Sequence, residues 1–136
     1  MSPEDCKRSH EQSPPSLQHI QDQIRSTCED IIHCCSKEVD ATFAQTEQSL
    51  QVKISSLACL CLQLFLMSFQ EQFDYSIWLE EGNYYKGCLV SRTIKTRYGA
   101  VRYGRHSLAR QGGGGFSPVD ARIGRTGEGL SPVVLR

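Results

Sequence analysis

Apolar residues in the first half of the chain recur every three or four positions: Leu17, Ile20, Ile24, Cys28, Ile31, Cys35, Val39 and Phe43. The rhythm resumes at Leu50, Ile54, Leu57, Cys61 and Leu64, the signature of amphipathic helix. From Ser16 to Glu81, 66 residues pass without a glycine or proline, so nothing punctuates a helix there. The pattern predicts helix over most of residues 17–72. Phe43, Leu50, Leu57 and Leu64 are each seven apart, a coiled-coil-like seam, and Ile54 and Cys61 are expected to face inward with them. One continuous helix would reach roughly 100 Å at 1.5 Å per residue. A break into two antiparallel helices is therefore expected, at the weak helix formers of "DATFAQTEQS", residues 40–49.

The pattern changes at "EEGNYYKG". From Gly87 the residues favour strands, and Tyr98-Gly99 offers a two-residue hairpin loop. That loop would set Thr96 against Val101 and Ile94 against Tyr103, giving one apolar face. On the other face Lys95 would lie directly across from Arg102, with Arg97 at the turn. Like charges directly opposite destabilise a hairpin, unless that face is well solvated or meets phosphate.

Charge sharpens the division. The chain has no net charge, yet residues 1–82 carry 5 Lys+Arg against 13 Asp+Glu, and residues 83–136 carry 10 against 2. The halves are thus −8 and +8, and all 11 glycines lie at or beyond Gly82. The resulting organisation has four parts. They are a disordered leader (1–15), a helical region (16–82), a basic β-hairpin region (83–110) and a glycine-rich, loop-rich segment (111–136). The expected class is α+β. A basic half of this kind points to an acidic partner, or to self-association of opposite halves.

The polar, acidic opening "MSPEDCKRSHEQSPP" lacks the apolar core of a secretory signal. The most apolar run, Leu57–Met67, has 11 residues and includes Gln63, whereas a membrane span needs about 20. A buried core helix, no membrane partner and a cytoplasmic location are expected, with the seven cysteines as reduced thiols.

Sites of chemistry do not assemble. Gly112–Gly115 is not followed by Lys-Ser or Lys-Thr, and Pro118 spoils a dinucleotide fingerprint; a flexible connector is expected. His33-Cys34-Cys35 lacks the spacing that lets two ligands reach one zinc, and Cys28 and Cys35 stand about 10 Å apart along a helix axis. These cysteines read as small apolar residues, and neither metal nor cofactor is expected. Asp120 reads as a turn or helix-cap residue rather than a base, and no nucleophile with a base and an orienting group can be found. What survives is nucleic-acid binding. Lys95, Arg97, Arg102 and Arg105 are the candidate phosphate contacts, and Tyr98 and Tyr103 the candidate stacking planes.

From Arg92 onward the sequence resembles the N-terminal region of ISKra-type insertion-sequence transposases. The resemblance is carried by Arg92, Thr93, Thr96, Gly99, Val101, Arg105, Pro118, Val119, Asp120, Ile123, Gly124, Ser131 and Pro132. It covers about the last 50 residues. Many relatives carry a cysteine pair between the hairpin and the Pro-Leu-Asp element, whereas Leu108–Gly112 here holds no cysteine. The family's metal-dependent catalytic domain would follow this region, beyond Arg136. The resemblance thus implies the DNA-engaging front piece of a transposase, nucleoid-associated and catalytically inactive alone, truncated in a decayed or frameshifted element. The alternative is a small helical oligomerisation or interaction protein whose basic tail is a solvated face.

Overall fold

A computed structural model describes residues 15–81, 84–110 and 112–124. The leader through Pro14 and the segment from residue 125, with Ser131 and Pro132, lie outside the described residues. The architecture is α+β: two long helices, then short antiparallel sheets and, last among the described residues, a short helix.

Helix α1 spans Leu17–Ser36 and α2 spans Phe43–Gln72. Ser16 caps α1, its Oγ accepting from the His19 backbone N–H at 3.2 Å. The break between them, residues 37–42, sits at the front edge of the expected stretch. It is fixed by a reciprocal cap. Gln45 N–H donates to Thr42 Oγ1 at 3.1 Å, and Thr42 N–H donates to Gln45 Oε1 at 2.9 Å. Two otherwise orphaned donors of the α2 start are thereby satisfied. Pro15 and Ser16 lie beside Met67 and Gln70 at the far end of α2, so the two helices run antiparallel.

The expected inward stripe is only partly found. In α1, Ile20 is fully buried and Leu17, Ile24 and Ile31 are half-buried, but Cys34 is buried where Cys35 was expected. Over four turns the 3.6-residue period drifts away from a seven-residue repeat, and Cys28 and Cys35 end up exposed. In α2 the seam fails as an inward face. Phe43 is 83% and Ile54 51% exposed, Cys61 is exposed, and Leu50, Leu57 and Leu64 are half-buried. Leu66, Met67 and Gln70 are buried instead. The reason is that the neighbours of α2, which are α1, the β-hairpin and the helix at Pro118–Ile123, leave part of its circumference uncovered.

The same geometry corrects the expectation of a buried core helix. At 30 residues, with mean hydropathy 1.8 in an 18-residue window that is 11% buried, α2 is long and apolar enough to cross a membrane. That statement concerns length and composition alone.

After α3 (Ser76–Glu81) come β1 (Tyr84–Lys86), β2 (Val90–Thr96), β3 (Gly99–Arg105), β4 (Leu108–Arg110), β5 (Gly115–Phe116) and α4 (Pro118–Ile123). Strands β2 and β3 form one antiparallel hairpin, and β1, β4 and β5 a second small sheet. The core joins both halves of the chain. Leu66 of α2 packs with Ile94, Val101, Tyr103 and Val119, and Cys59, Leu62, Phe69 and Ile123 pack around them. A satellite cluster of Trp78, Tyr84 and Phe116, met edge to face with centroids 5.1–5.9 Å apart, ties α3 to the second sheet. Gln70 is the buried joint between the end of α2 and the β3–β4 connection. Its Oε1 accepts from Tyr75 Oη at 2.8 Å and from the His106 backbone N–H at 3.3 Å.

The glycine run is not a loose connector. Arg110 N–H donates to Gly114 O at 2.9 Å and Gly113 N–H to Arg110 O at 3.2 Å, closing the turn between β4 and β5. Gly112, Gly113 and Gly114 all have positive φ, where a side chain would be strained.

Five cysteines, Cys28, Cys34, Cys35, Cys59 and Cys61, are free thiols. Cys88 is disulfide-bonded, which corrects the expectation that all seven are reduced. Pairing depends on which cysteines folding brings within bonding distance, and spacing along the chain does not encode that.

Candidate nucleic-acid interface

The β2–β3 hairpin turns one residue earlier than the sequence suggests. Arg97 and Tyr98 form the turn, and Thr96 pairs with Gly99. Gly99 adopts φ +135°, so the glycine is needed at the first strand position after the turn rather than within it. The Thr96 side chain fastens the turn: its Oγ1 accepts from Tyr98 N–H at 3.2 Å and donates to Gly99 O at 2.8 Å.

This register slips every pairing by two residues. Ile94 faces Val101, Lys95 faces Ala100, and Arg102 faces Thr93. A two-residue slip preserves which side chains share a face, so the apolar side still presents Ile94, Val101 and Tyr103 to α2. What changes is the charge geometry. Lys95 and Arg102 are not directly opposite, and the repulsion expected from that pairing is absent. Arg102 Nη2 instead donates to Ser91 Oγ at 3.3 Å.

Two expected contact residues belong elsewhere. Tyr103 is fully buried and cannot stack on a base. It sits on the inward face, and its hydroxyl donates to Asp120 Oδ1 at 2.6 Å. Arg105 is also turned inward, forming an ion pair with Asp120 Oδ2, with side chains 18% and 21% exposed. Its charge is already neutralised, so it is not a free phosphate contact. Asp120, expected as a turn or cap residue, does lie in the first turn of α4, where its N–H meets the Ser117 cap at 3.4 Å. Its carboxylate is the anchor that sequence reading missed. Asp120 follows Arg105 by 15 residues, and no local motif signals such a pair.

Lys95, Arg97, Arg102 and Tyr98 remain. All four are exposed, Tyr98 at 43%. They occupy the outer face and tip of a hairpin whose inner face is fixed in the core. The arrangement offers three cations and one aromatic plane on a two-stranded ribbon packed against the core, an arrangement suited to a row of phosphates. Among the described residues, no group of three or more His, Cys, Asp or Glu could hold a metal ion.

Two groups beside the hairpin titrate away from their ordinary values. Burial lowers the pKa of His106, the Gly87 carbonyl opposes this by accepting from Nδ1–H at 2.7 Å, and nearby Lys86 adds to the lowering. Burial raises that of Tyr75, against its hydrogen bond to Gln70.

Comparison with family models, curated proteins and solved structures finds no match to this chain.

Proposed function

We propose that the chain engages DNA through the outer face and tip of the β2–β3 hairpin, as a DNA-engaging region of an insertion-sequence transposase. The observation that carries this is the exposure of Lys95, Arg97 and Arg102 on one ordered surface, with Tyr98 at its tip. Phosphate contacts of this kind position a protein on nucleic acid without reading sequence. The residues that carry the transposase resemblance also fall on structurally engaged positions. Thr96 and Gly99 build the turn, Val101 and Val119 lie in the core, and Arg105 pairs with Asp120. Gly124, at φ +73°, ends α4. These engagements support reading the pattern as one unit. Fluorescence anisotropy of labelled duplex DNA with the full chain at low salt tests the proposal; no binding removes it.

A second reading rests on a separate observation, the uncovered apolar residues of α2. Phe43, Ile54 and Phe65 are 83%, 51% and 50% exposed. In this reading the chain is a helical interaction protein that self-associates through α2. Sedimentation analysis separates the two: concentration-dependent association abolished by Ile54→Asp, with no DNA binding, favours it.

A further inference from the structure

Between the hairpin tip, α2 and α4 the surface opens into a groove of about 370 Å³. Leu62 and Phe65 of α2, Ile94 and Val101 of the hairpin, and Ile123 of α4 supply its apolar walls. The volume falls within the range of small-ligand sites, about 300–1,000 Å³. Polar groups in the lining are few. The Thr96 hydroxyl is committed to the turn, accepting from Tyr98 N–H and donating to Gly99 O. The charged groups are Arg97 and Arg122, both exposed. Among the described residues neither makes an ion pair. The Arg122 guanidinium lies 5.9 Å from the ring centroids of both Phe65 and Phe69, which holds a cation against the apolar wall.

We propose that this groove binds a small anionic amphiphile, a medium-length hydrocarbon chain ending in a carboxylate. The chain lies against Leu62, Phe65 and Ile123, and the carboxylate meets Arg97 and Arg122. Charge complementarity selects the headgroup, since the charged groups of the lining are two guanidinium groups without carboxylate partners among the described residues. The walls select the body. A nucleobase would need hydrogen-bonding groups along its edge, and apart from Thr96, Tyr98 and the two guanidinium groups the lining is hydrocarbon or aromatic. The site overlaps the proposed DNA contacts at Arg97 and Tyr98, so variants at Arg122 and Phe65, outside that set, distinguish the two.

The test uses the full chain with anilinonaphthalene sulfonate as a fluorescent anionic probe, displaced by monomeric decanoate or by decanol. The two competitors share a chain length and differ in charge. Decanoate should displace the probe at about tenfold lower concentration than decanol, the scale of one charge-assisted contact. Arg122→Gln should reduce this preference, and Arg97→Gln/Arg122→Gln should bring the two competitors to parity. Phe65→Ala, at a half-exposed position, should weaken both alike, and circular dichroism should confirm that each variant keeps its helix. Equal displacement by decanoate and decanol in the unaltered protein overturns the proposal. So does a decanoate preference that survives Arg97→Gln/Arg122→Gln but vanishes in Lys95→Gln/Arg102→Gln. Binding to phosphatidylserine vesicles without displacement by monomeric decanoate would likewise reject it and assign the surface to a membrane.

Discussion

The hydroxyl of Tyr103 donates to Oδ1 of Asp120 at 2.6 Å from a fully buried ring. The other carboxylate oxygen of Asp120 holds Arg105, whose Nε has no hydrogen-bond partner. One carboxylate thus satisfies a buried phenol and neutralises a largely buried guanidinium, joining β3 to α4. Asp120→Ala would remove the acceptor of the buried phenol and the counter-charge of the guanidinium and should cost about 2–4 kcal/mol. Asp120→Asn retains an acceptor for Tyr103 and should cost less. Urea unfolding followed by circular dichroism measures both. A loss for Asp120→Ala no larger than that of an ordinary surface substitution would show that the pair does not hold the elements together.

Gly99 controls the register of the hairpin. Its φ of +135° is strained for any side chain, and a Cβ there would stand 3.2 Å from Cys59 Sγ. Gly99→Val should therefore destabilise the fold by about 1–3 kcal/mol. Adding Cys59→Ala removes the close approach but not the backbone strain, so it should restore only part of the loss. Full recovery in the double variant would mean that space alone, and not φ, fixes the glycine.

His106 should make stability depend on pH. Its pKa is lowered from the ordinary 6.5 chiefly by burial, so protonation favours the unfolded chain. Stability from the neutral ring is present above 6.5 and is lost as pH falls from there through the lower folded value. The melting temperature should drop between about pH 7.5 and about pH 5.5, and His106→Gln should flatten this part of the profile. An unchanged profile in the variant would place the pH sensitivity on other groups.

The sequence exposed the broad architecture and the membership of the hairpin faces. A long stretch without glycine or proline and a three-four apolar rhythm suffice for two helices, and strict alternation places Ile94, Val101 and Tyr103 on one side both in the expected register and in the observed one two residues away. The register itself was not legible, because a glycine beside a turn can serve within the loop or just after it. The helix break carries a sharper signal than weak helix propensity: Thr42-Phe43-Ala44-Gln45 has the spacing of a reciprocal cap. The seam through Phe43, Leu50, Leu57 and Leu64 misled for a different reason. Periodicity shows that a helix has an apolar stripe, but not which neighbours cover it, and α2 meets α1 and the hairpin on other sides. At the candidate site, alternation already put Tyr103 inward with Ile94. Its composition-based assignment to stacking conflicted with that face. The Asp120 partnership of Arg105 spans 15 residues and emerges only when α4 folds back on β3.

The salt dependence of duplex DNA binding tests the central claim most directly. Each phosphate neutralised releases counterions, so log affinity falls with log salt by about 0.9 per contact. With Arg105 committed to Asp120, three contacts remain, at Lys95, Arg97 and Arg102, and the expected slope is roughly −2.7. Replacing Lys95 and Arg102 by alanine should flatten it by about two units while the helices stay folded, and Arg105→Ala should alter stability more than slope. A slope that ignores the Lys95 and Arg102 substitutions, or no binding at low salt, would contradict the account and leave the hairpin as a solvated face.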